Sequence, residues 1–423
     1  MRFVVFIFLL FCFHPIHAQL EEMIYSSSIK TPQLYQYGNQ LGAPVIRLNS
    51  TDRLELHFDD LDANVKNYAY TYQHCNADWT PTMLSHFDYI NGFSQVRINT
   101  YRISSIAFTK YTHYQAILPD RNCVPVKSGN YILKVFLNGD TSKLAFTRRL
   151  LIYDEKSLVA AEIQQPFNGQ IFRTHQKIQL RVNLGDRLDV INPLQQVKVV
   201  LQQNNRWDNA VMGLRPSFAS NRSLVFNAEQ DAVFPAGKEW RWLDLRSFRL
   251  QSDRVERANY QARSTEIFVK PDLDRSPQRF NFYKDENGRY YIDASENINP
   301  FWQSDYATVH FSFVPPGNSA FEGRDVYLFG QLSDYDLRDQ NKMTWNSAKG
   351  VYETSLFLKQ GYYDYTYVTI NHADPDRRAS YEATEGNFWE TENDYRILVY
   401  FRTMGGRYDE LIGMVRLNSL IRR

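Results

Sequence analysis

The sequence predicts an all-β protein built from tandem β-sandwich domains of the immunoglobulin-like or early-set type. Apolar and aromatic residues alternate with polar ones along many short segments, which is the pattern of a strand with one buried face. Asn-Gly pairs such as Asn91-Gly92 and Asn287-Gly288 lie between these segments and are typical of tight turns. Long segments with a helical period are scarce, so sandwiches are favoured over mixed folds.

The alternation marks the predicted strands along the whole chain. It is clearest at Leu54, Leu56 and Phe58; at Tyr68, Tyr70 and Tyr72; at Ile178, Leu180, Val182 and Leu184; at Val197, Val199 and Leu201; and at Tyr363, Tyr365 and Tyr367. Aromatic residues make up 15% of the chain. Such side chains favour pleated, half-buried surfaces, so the composition supports the same fold class.

The chain is too long for one hydrophobic core and is expected to form three units. The predicted domains cover residues 19–155, 156–271 and 278–423. A polar joint at residues 155–157 separates the first two. A charged connector flanked by prolines, at residues 271–277, separates the last two.

The first 18 residues have the pattern of a secretory signal peptide. Arg2 precedes an apolar run at residues 3–13 that is too short to cross a bilayer, and Ala18 offers a small residue for cleavage. Cys12 raises a lipoprotein alternative, which the bulky Phe11 before it argues against. We therefore expect an exported chain whose mature part does not insert into a membrane.

The net charge excludes partners that are recruited by bulk electrostatics. The chain has 48 basic and 47 acidic residues, and loss of Arg2 with the leader leaves 47 of each. A neutral chain lacks the positive surface that nucleic acid or anionic lipid requires.

Two cysteines remain after cleavage, Cys75 and Cys123. In an oxidising compartment such a pair is a candidate disulfide. The alternative is two buried thiols, and the sequence leaves both open.

The common catalytic signatures are missing, so the sequence favours a binding function over an enzyme and predicts no cofactor and no metal. One local cluster, His74, Cys75 and Asp78 with His113 downstream, has the residue types of a metal site or of a Cys/His pair. It lacks the paired spacing of a metal site. A strand end that turns into a loop, capped by Asp78 and packed by Trp79, is the favoured interpretation.

Three segments of the first unit stand out, at residues 70–79, 88–93 and 111–119, with shorter ones at 128–131 and 147–149. Together they resemble the plug protein family of the type IX secretion system found in Bacteroidetes, up to the end of the first unit. The residues that carry the motifs, which we expect to be structural, are His74, Cys75, Asn76, Asp78, Trp79, Gly92, Tyr111, His113 and Tyr114.

The resemblance implies a periplasmic protein without enzymatic activity, held at the outer membrane by its partner. That partner is the large outer-membrane β-barrel translocon of the type IX system, whose periplasmic opening the plug would occlude. The resemblance implies no nucleic acid and no membrane insertion of the protein itself.

Two alternatives remain from the sequence. The last unit resembles the early-set sandwich of glycogen-binding modules, which suggests a glycan-binding accessory protein that uses Tyr335, Trp345 and Trp389. Tyr335 stands where those modules usually have tryptophan, and this weakens the glycan interpretation. A hydrolase is the second alternative, and it needs two carboxylates about 5–9.5 Å apart across a cleft.

Overall fold

The computed structural model describes residues 22–296 and 298–421, so the predicted signal peptide lies outside the described residues. Strands dominate and the few helices have four residues or fewer, which confirms the all-β prediction. In the described part of the chain, no helix is long and apolar enough to cross a membrane.

The first sandwich lies between residues 23 and 153. Its elements are β1 (Met23–Ile24), β2 (Ile29–Gln36), β3 (Val45–Arg47), β4 (Leu54–Asp60), β5 (Tyr68–Cys75), α1 (His86–Tyr89), β6 (Ile90–Gly92), β7 (Val96–Arg97), β8 (Thr100–Ile103), β9 (Thr112–Leu118), β10 (Cys123–Pro125), β11 (Gly129–Leu137) and β12 (Leu144–Tyr153). One sheet has the order β1-β12-β11-β5-β7, with β3 parallel to β12, and the other has the order β2-β4-β9-β8. The core between them is rich in aromatic rings, because alternate residues of these strands point inward.

The remaining elements follow in chain order. They are β13 (Ser157–Gln164), β14 (His175–Leu184), α2 (Pro193–Gln196), β15 (Val197–Gln203), β16 (Phe218–Ala219), β17 (Ser223–Phe226), β18 (Val233–Pro235), β19 (Arg241–Asp244), β20 (Val255–Tyr260), β21 (Thr265–Val269), β22 (Asp272–Leu273), β23 (Tyr290–Ile292), α3 (Pro300–Gln303), β24 (Tyr306–Val314), β25 (Arg324–Phe329), β26 (Thr344–Asn346), β27 (Val351–Lys359), β28 (Gly361–Asn371), β29 (Asp394–Phe401) and β30 (Glu410–Asn418). Within the described residues, single 3-10 turns occur at Pro316–Asn318, Gln331–Ser333 and Asp339–Asn341.

The second sandwich is made from two separate parts of the chain. One sheet has the order β13-β14-β17-β16, and the other has the order β15-β29-β30. Strand β15 pairs antiparallel with β29 over its whole length, so Leu201 lies opposite Ile397. Ile397 and Ile412 are fully buried in the same core as Leu180 and Val182.

The third sandwich is inserted into the second. Its first sheet has the order β20-β21-β24-β27-β26, and its second consists of β28 with β19, β23 and β25. The pairing therefore corrects the predicted domains 156–271 and 278–423: β19 to β21 belong to the third sandwich, and β29 and β30 belong to the second. The alternation correctly indicated strands but could not indicate their partners, because any strand with one apolar face has the same pattern.

The insertion predicts how a truncated chain behaves. A variant that ends at residue 390 lacks β29 and β30, so β15 loses its neighbours and the apolar face at Val199 and Leu201 becomes exposed. We expect limited proteolysis to cleave within residues 157–235 while residues 238–371 stay protected, with the full chain digested in parallel as the control. Cleavage concentrated in residues 278–390 would instead support the boundaries predicted from the alternation.

Candidate functional site

Most motif residues of the first sandwich lie at its contacts with the other two sandwiches. One group, at the end of β5, faces the second sandwich. The other group, on β9 and the loop before it, faces the third.

The loop after β5 is built by its own side chains. Asp78 accepts hydrogen bonds from the backbone N–H and the hydroxyl of Thr80, at 3.1 and 2.6 Å. Trp79 has a φ of 65° and is buried, so this tight turn directs the indole away from solvent. These positions agree with the interpretation of a capped turn with a packed tryptophan.

This loop is hydrogen-bonded to the last hairpin of the second sandwich. The side-chain oxygen of Asn76 accepts from the guanidinium of Arg402 at 2.8 Å, and the N–H of Ala77 donates to Asp409 at 3.1 Å. Asp409 is buried and also pairs with Arg402 and Lys198. The buried carboxylate of Asp409 therefore accepts hydrogen bonds from both sandwiches. These bonds satisfy a charge and an N–H group that would be costly to bury without partners.

Aromatic contacts continue the same joint. The indole of Trp79 meets that of Trp207 edge to face with ring centroids 4.8 Å apart, and the guanidinium of Arg149 lies 4.5 Å from the Trp79 ring. The hydroxyl of Tyr400 donates to the side chain of Asn130 at 2.7 Å. The Trp79–Trp207 and Tyr400–Asn130 contacts cross from the first sandwich to the second and add directional interactions to the apolar burial around them.

His74 is part of the core beside this loop. Its Nε2 donates to the carbonyl of Ser128 at 3.1 Å, and its ring packs edge-on against Tyr131 and Tyr408. Burial lowers the pKa of His74 to about 4, against the opposing hydrogen bond to Ser128. A neutral histidine held in this way is a packing and hydrogen-bonding residue.

The contact with the third sandwich contains a buried ion pair. Asp59 and Lys359 are each 1% exposed, and the ammonium of Lys359 donates to the carboxylate of Asp59. The carboxylate also accepts from His113 Nδ1 at 2.7 Å and from the hydroxyl of Tyr306 at 2.6 Å. Three donors from two sandwiches thus converge on one carboxylate.

The remaining polar groups of this cluster are also paired. Lys359 donates to the carbonyl of Phe301 at 2.6 Å and lies 4.3 Å from the centre of the Tyr111 ring. The hydroxyl of Tyr111 donates to the carbonyl of Ser304 at 2.7 Å. Every charged group in the cluster therefore has a close partner, as burial of charge requires.

Burial and the charges within the cluster shift the pKa values of its members. Burial by itself raises the pKa of Asp59, but Lys359 and His113 outweigh this effect and the net pKa is lowered. Burial lowers the pKa of His113 to about 4 despite its bond to Asp59, so the imidazole is neutral. The neutral ring donates to Asp59 from Nδ1, and its Nε2 lies 3.0 Å from His57 Nδ1.

The other motif residues stabilise the first sandwich internally. Tyr114 is buried, stacks on Phe58 at 5.1 Å and receives a bond from the N–H of Lys66. Gly92 has a φ of 108°, and a Cβ there would meet the carbonyl oxygen of Asn122 at 2.1 Å. Only glycine fits where β6 approaches β10 so closely.

Cys75 and Cys123 are both buried and are not bonded to each other. Cys123 lies in the main core of the first sandwich, whereas Cys75 lies in the apolar layer shared with the second sandwich. Of the two possibilities left by the sequence, the structure therefore has the buried thiols and not the disulfide.

The three aromatic residues considered for glycan binding lie in three different places. Tyr335 packs among buried rings and donates to the carbonyl of Gly288, and Trp345 packs against Tyr352. Trp389 is tied through its backbone to Arg173 and Gln176. Rings in separate environments do not form the common stacking platform that this interpretation needs.

Two buried carboxylates of the third sandwich, Asp285 and Asp364, have partners within the protein. Asp285 and Asp364 are 7% and 0% exposed, and each accepts hydrogen bonds from backbone N–H groups. Burial raises the pKa of Asp285 to about 7 and that of Asp364 well above its usual range. Within the described residues no group of three or more His, Cys, Asp or Glu could hold a metal ion.

Sequence reasoning missed the partners on the far side of both joints. Lys359 ends a strand of ordinary composition, Asp59 is the last residue but one of β4, and Asp409 lies in a polar turn. The only signal was the motif that contains Tyr111 and His113, because nothing local indicates which distant residue completes a buried pair.

The fold and these joints define a class of protein: three β-sandwiches, one inserted into another, held together by buried polar contacts. The family model described as type 9 secretion system plug protein 1st domain matches residues 29–154. The first sandwich is therefore similar to the first domain of the type IX secretion plug family, which confirms the resemblance seen in the sequence.

Comparison with solved structures extends the likeness to nearly the whole chain. The crystal structure of a hypothetical protein from Parabacteroides merdae ATCC 43184, at 2.30 Å resolution, is 29% identical, and the match covers 94% of this chain and 98% of that one. The TM-score is 0.89. No curated protein matches.

The buried ion pair predicts a large and specific loss of stability. In Lys359→Met the carboxylate of Asp59 stays buried without its counter-charge, so we expect the free energy of unfolding to fall by about 3–5 kcal/mol. Urea denaturation measures this. Lys349→Met removes an ion pair with Glu353 whose lysine is 63% exposed, and it should change stability by less than about 0.5 kcal/mol.

The double variant Asp59→Asn with Lys359→Met removes both charges and should recover part of the loss. If the single variants at Lys359 and Lys349 lose equal amounts, the ion pair does not stabilise the joint.

The buried His113 predicts that the stability difference between the wild type and His113→Gln depends on pH. The pKa of His113 is about 4 in the folded protein, below the ordinary 6.5. Between these two values the unfolded chain binds a proton at this histidine and the folded protein does not. The stability that the neutral His113 contributes is therefore lost as the pH falls from 6.5 to 4. The destabilisation caused by His113→Gln should therefore be greatest at pH 7. It should shrink by up to about 1.4 kcal/mol per pH unit below 6.5.

Urea unfolding of the wild type and of His113→Gln at several pH values tests this prediction. Subtracting the two free energies of unfolding at each pH cancels the contributions of the other titratable groups. A difference that does not vary between pH 7 and pH 4 would contradict the assignment of His113 as a buried neutral imidazole.

Proposed function

We propose that this protein is the periplasmic plug of the type IX translocon. It binds the periplasmic opening of the large outer-membrane barrel and occludes it, without catalysing a reaction. The match of the first sandwich to the plug family is the observation that carries this proposal.

The joints described above support the proposal physically. A compact chain of about 126 residues has a radius of gyration of about 14 Å, whereas a compact chain of about 400 residues reaches about 21 Å. Buried polar contacts hold the first sandwich against the other two. The three sandwiches therefore form one body, whose radius of gyration is the larger of these two values. A wide body covers a wide pore better than a single domain on a flexible linker.

We assign the barrel-facing surface to residues 83–108 of the first sandwich. Of the 28 large apolar side chains that are exposed in the described chain, seven lie in these 26 residues: Met83, Phe87, Phe93, Tyr101, Ile103, Ile106 and Phe108. Concentrated exposed apolar side chains are typical of protein interaction surfaces. Strand β8 is also a sheet edge whose four residues are all exposed.

This surface is anchored on both sides. The ring of Phe87 contacts that of His86 in α1, and the N–H of Phe93 donates to the carbonyl of Asn122 at 2.6 Å. At the other end, the N–H groups of Phe108 and Thr109 donate to Asp305 of the third sandwich. A surface fixed in this way presents apolar groups with little loss of entropy on binding.

An affinity pull-down tests the proposal. The tagged protein, added to detergent-solubilised outer membranes of a strain shown to express the type IX barrel, should recover that barrel as identified by mass spectrometry. Phe87→Asp combined with Phe93→Asp should lose it, because both side chains would place a charge in an apolar interface.

A matched control variant introduces the same two negative charges at a different surface. Leu158→Asp with Phe218→Asp changes two exposed apolar side chains of the second sandwich and should retain the barrel. Recovery of the tagged protein alone from that strain would count against the plug function. Recovery by both double variants would keep the function but contradict the assigned surface.

A further inference from the structure

A cavity of about 470 Å³ lies where the three sandwiches meet. Gln33 and Arg148 line it from the first sandwich, Gln202 and Arg396 from the second, and Arg289 from the third. Its volume is within the range of small-molecule sites, about 300–1,000 Å³, which also occur preferentially between domains.

The lining carries more positive than negative charge. Six arginines stand against four carboxylates, and the residues are Arg148, Arg149, Arg206, Arg289, Arg338, Arg396, Glu22, Asp208, Asp334 and Asp336. The three aspartates are each paired with an arginine of the lining: Asp334 with Arg148, Asp208 with Arg206, and Asp336 with Arg338. Their charges are thus already neutralised within the protein.

Two guanidinium groups of the lining have no carboxylate partner among the described residues. Arg289 donates to the carbonyls of Glu286 and Leu41, and Arg396 makes no ion pair. Both therefore leave charge available to a ligand.

Arg396 is the more unusual of the two, because it is only 9% exposed. It lies on β29 between Gln202 of β15 and Arg416 of β30, and the nearby Asp394 is already bonded to Arg416. Its Nε has no hydrogen-bond partner in the described chain. Burial, together with the positive charges of Arg416 and Arg289, lowers the pKa of Arg396 to about 10. A buried guanidinium without a partner is costly unless an anion joins it.

Two buried amides point to the same ligand. Gln33 is 4% exposed, and neither its nitrogen nor its oxygen has a partner in the described residues. The side-chain oxygen of Gln202 is also unpartnered, although its nitrogen donates to the carbonyl of Arg206. The amide nitrogen of Gln33 suits an anionic oxygen, and the two amide oxygens suit hydroxyl or N–H groups of a ligand.

We propose that this cavity binds a small molecule that carries an oxyanion, a phosphate or a carboxylate, together with hydroxyl or N–H donors. Arg396 and Arg289 pair with the oxyanion, and the amides of Gln33 and Gln202 bind the neighbouring polar groups. Since all three sandwiches line the cavity, a bound molecule adds a further joint between them. The proposal does not depend on the plug function.

Thermal unfolding with two probes tests the site. Inorganic phosphate and citrate are titrated separately into the full mature chain, against sodium chloride at equal ionic strength. We expect at least one probe to raise the midpoint of unfolding saturably, by at least about 2 °C. A response to phosphate alone assigns a phosphoryl ligand, and a response to citrate alone assigns a carboxylate.

Variants locate the response. Arg396→Leu should abolish it and should be at least as stable as the wild type in chloride, since the unpaired charge is gone. Arg396→Lys should retain part of the response because the charge remains without the planar fork. Arg249→Leu, at a side chain that is 80% exposed, should respond like the wild type.

Three outcomes would overturn the proposal. The first is no shift of the wild type with either probe, which would mean that water fills the cavity. The second is an equal shift in Arg396→Leu, which would be a general salt effect. If Arg396→Leu does not fold, Gln33→Leu is used in its place. The third outcome is a shift in the unfolding midpoint of Gln33→Leu as large as that of the wild type.

Discussion

The buried carboxylate of Asp59 and the ammonium of Lys359 are separated by 300 positions in the chain, yet each is the other's counter-charge. Neither group could be buried by itself, because moving an unpaired ion out of water costs several kcal/mol. The first and third sandwiches must therefore meet in the register that brings these groups together. Tyr306, His113 and Phe301 then satisfy the remaining donors and acceptors, so the joint permits one arrangement of the two sandwiches.

The joint between the first and second sandwiches also depends on a buried carboxylate with partners from both sides. Asp409 accepts from Ala77 of the first sandwich and pairs with Arg402 and Lys198 of the second. Apolar side chains surround these bonds, including Trp79 and Leu398. The polar contacts specify the position and the apolar contacts supply most of the favourable free energy.

The inserted topology makes these joints part of the chain's own folding. The second sandwich needs β29 and β30, which follow the whole third sandwich, so its core can close only after the inserted part has been made. The third sandwich is in turn held by the first through Lys359. Three cores that depend on one another in this way resist independent movement, and their meeting point forms the cavity.

The sequence by itself determined the strands, the fold class and the family of the first sandwich. Period-two alternation is a local property, and so are the capped turn at Asp78 and the packed Trp79. The tertiary structure alone decided that β29 pairs with β15, that the two cysteines lie in separate apolar layers, and that Arg396 is buried without a carboxylate. These features depend on which distant residues become neighbours, and the pattern of one strand has the same form whichever partner it finds.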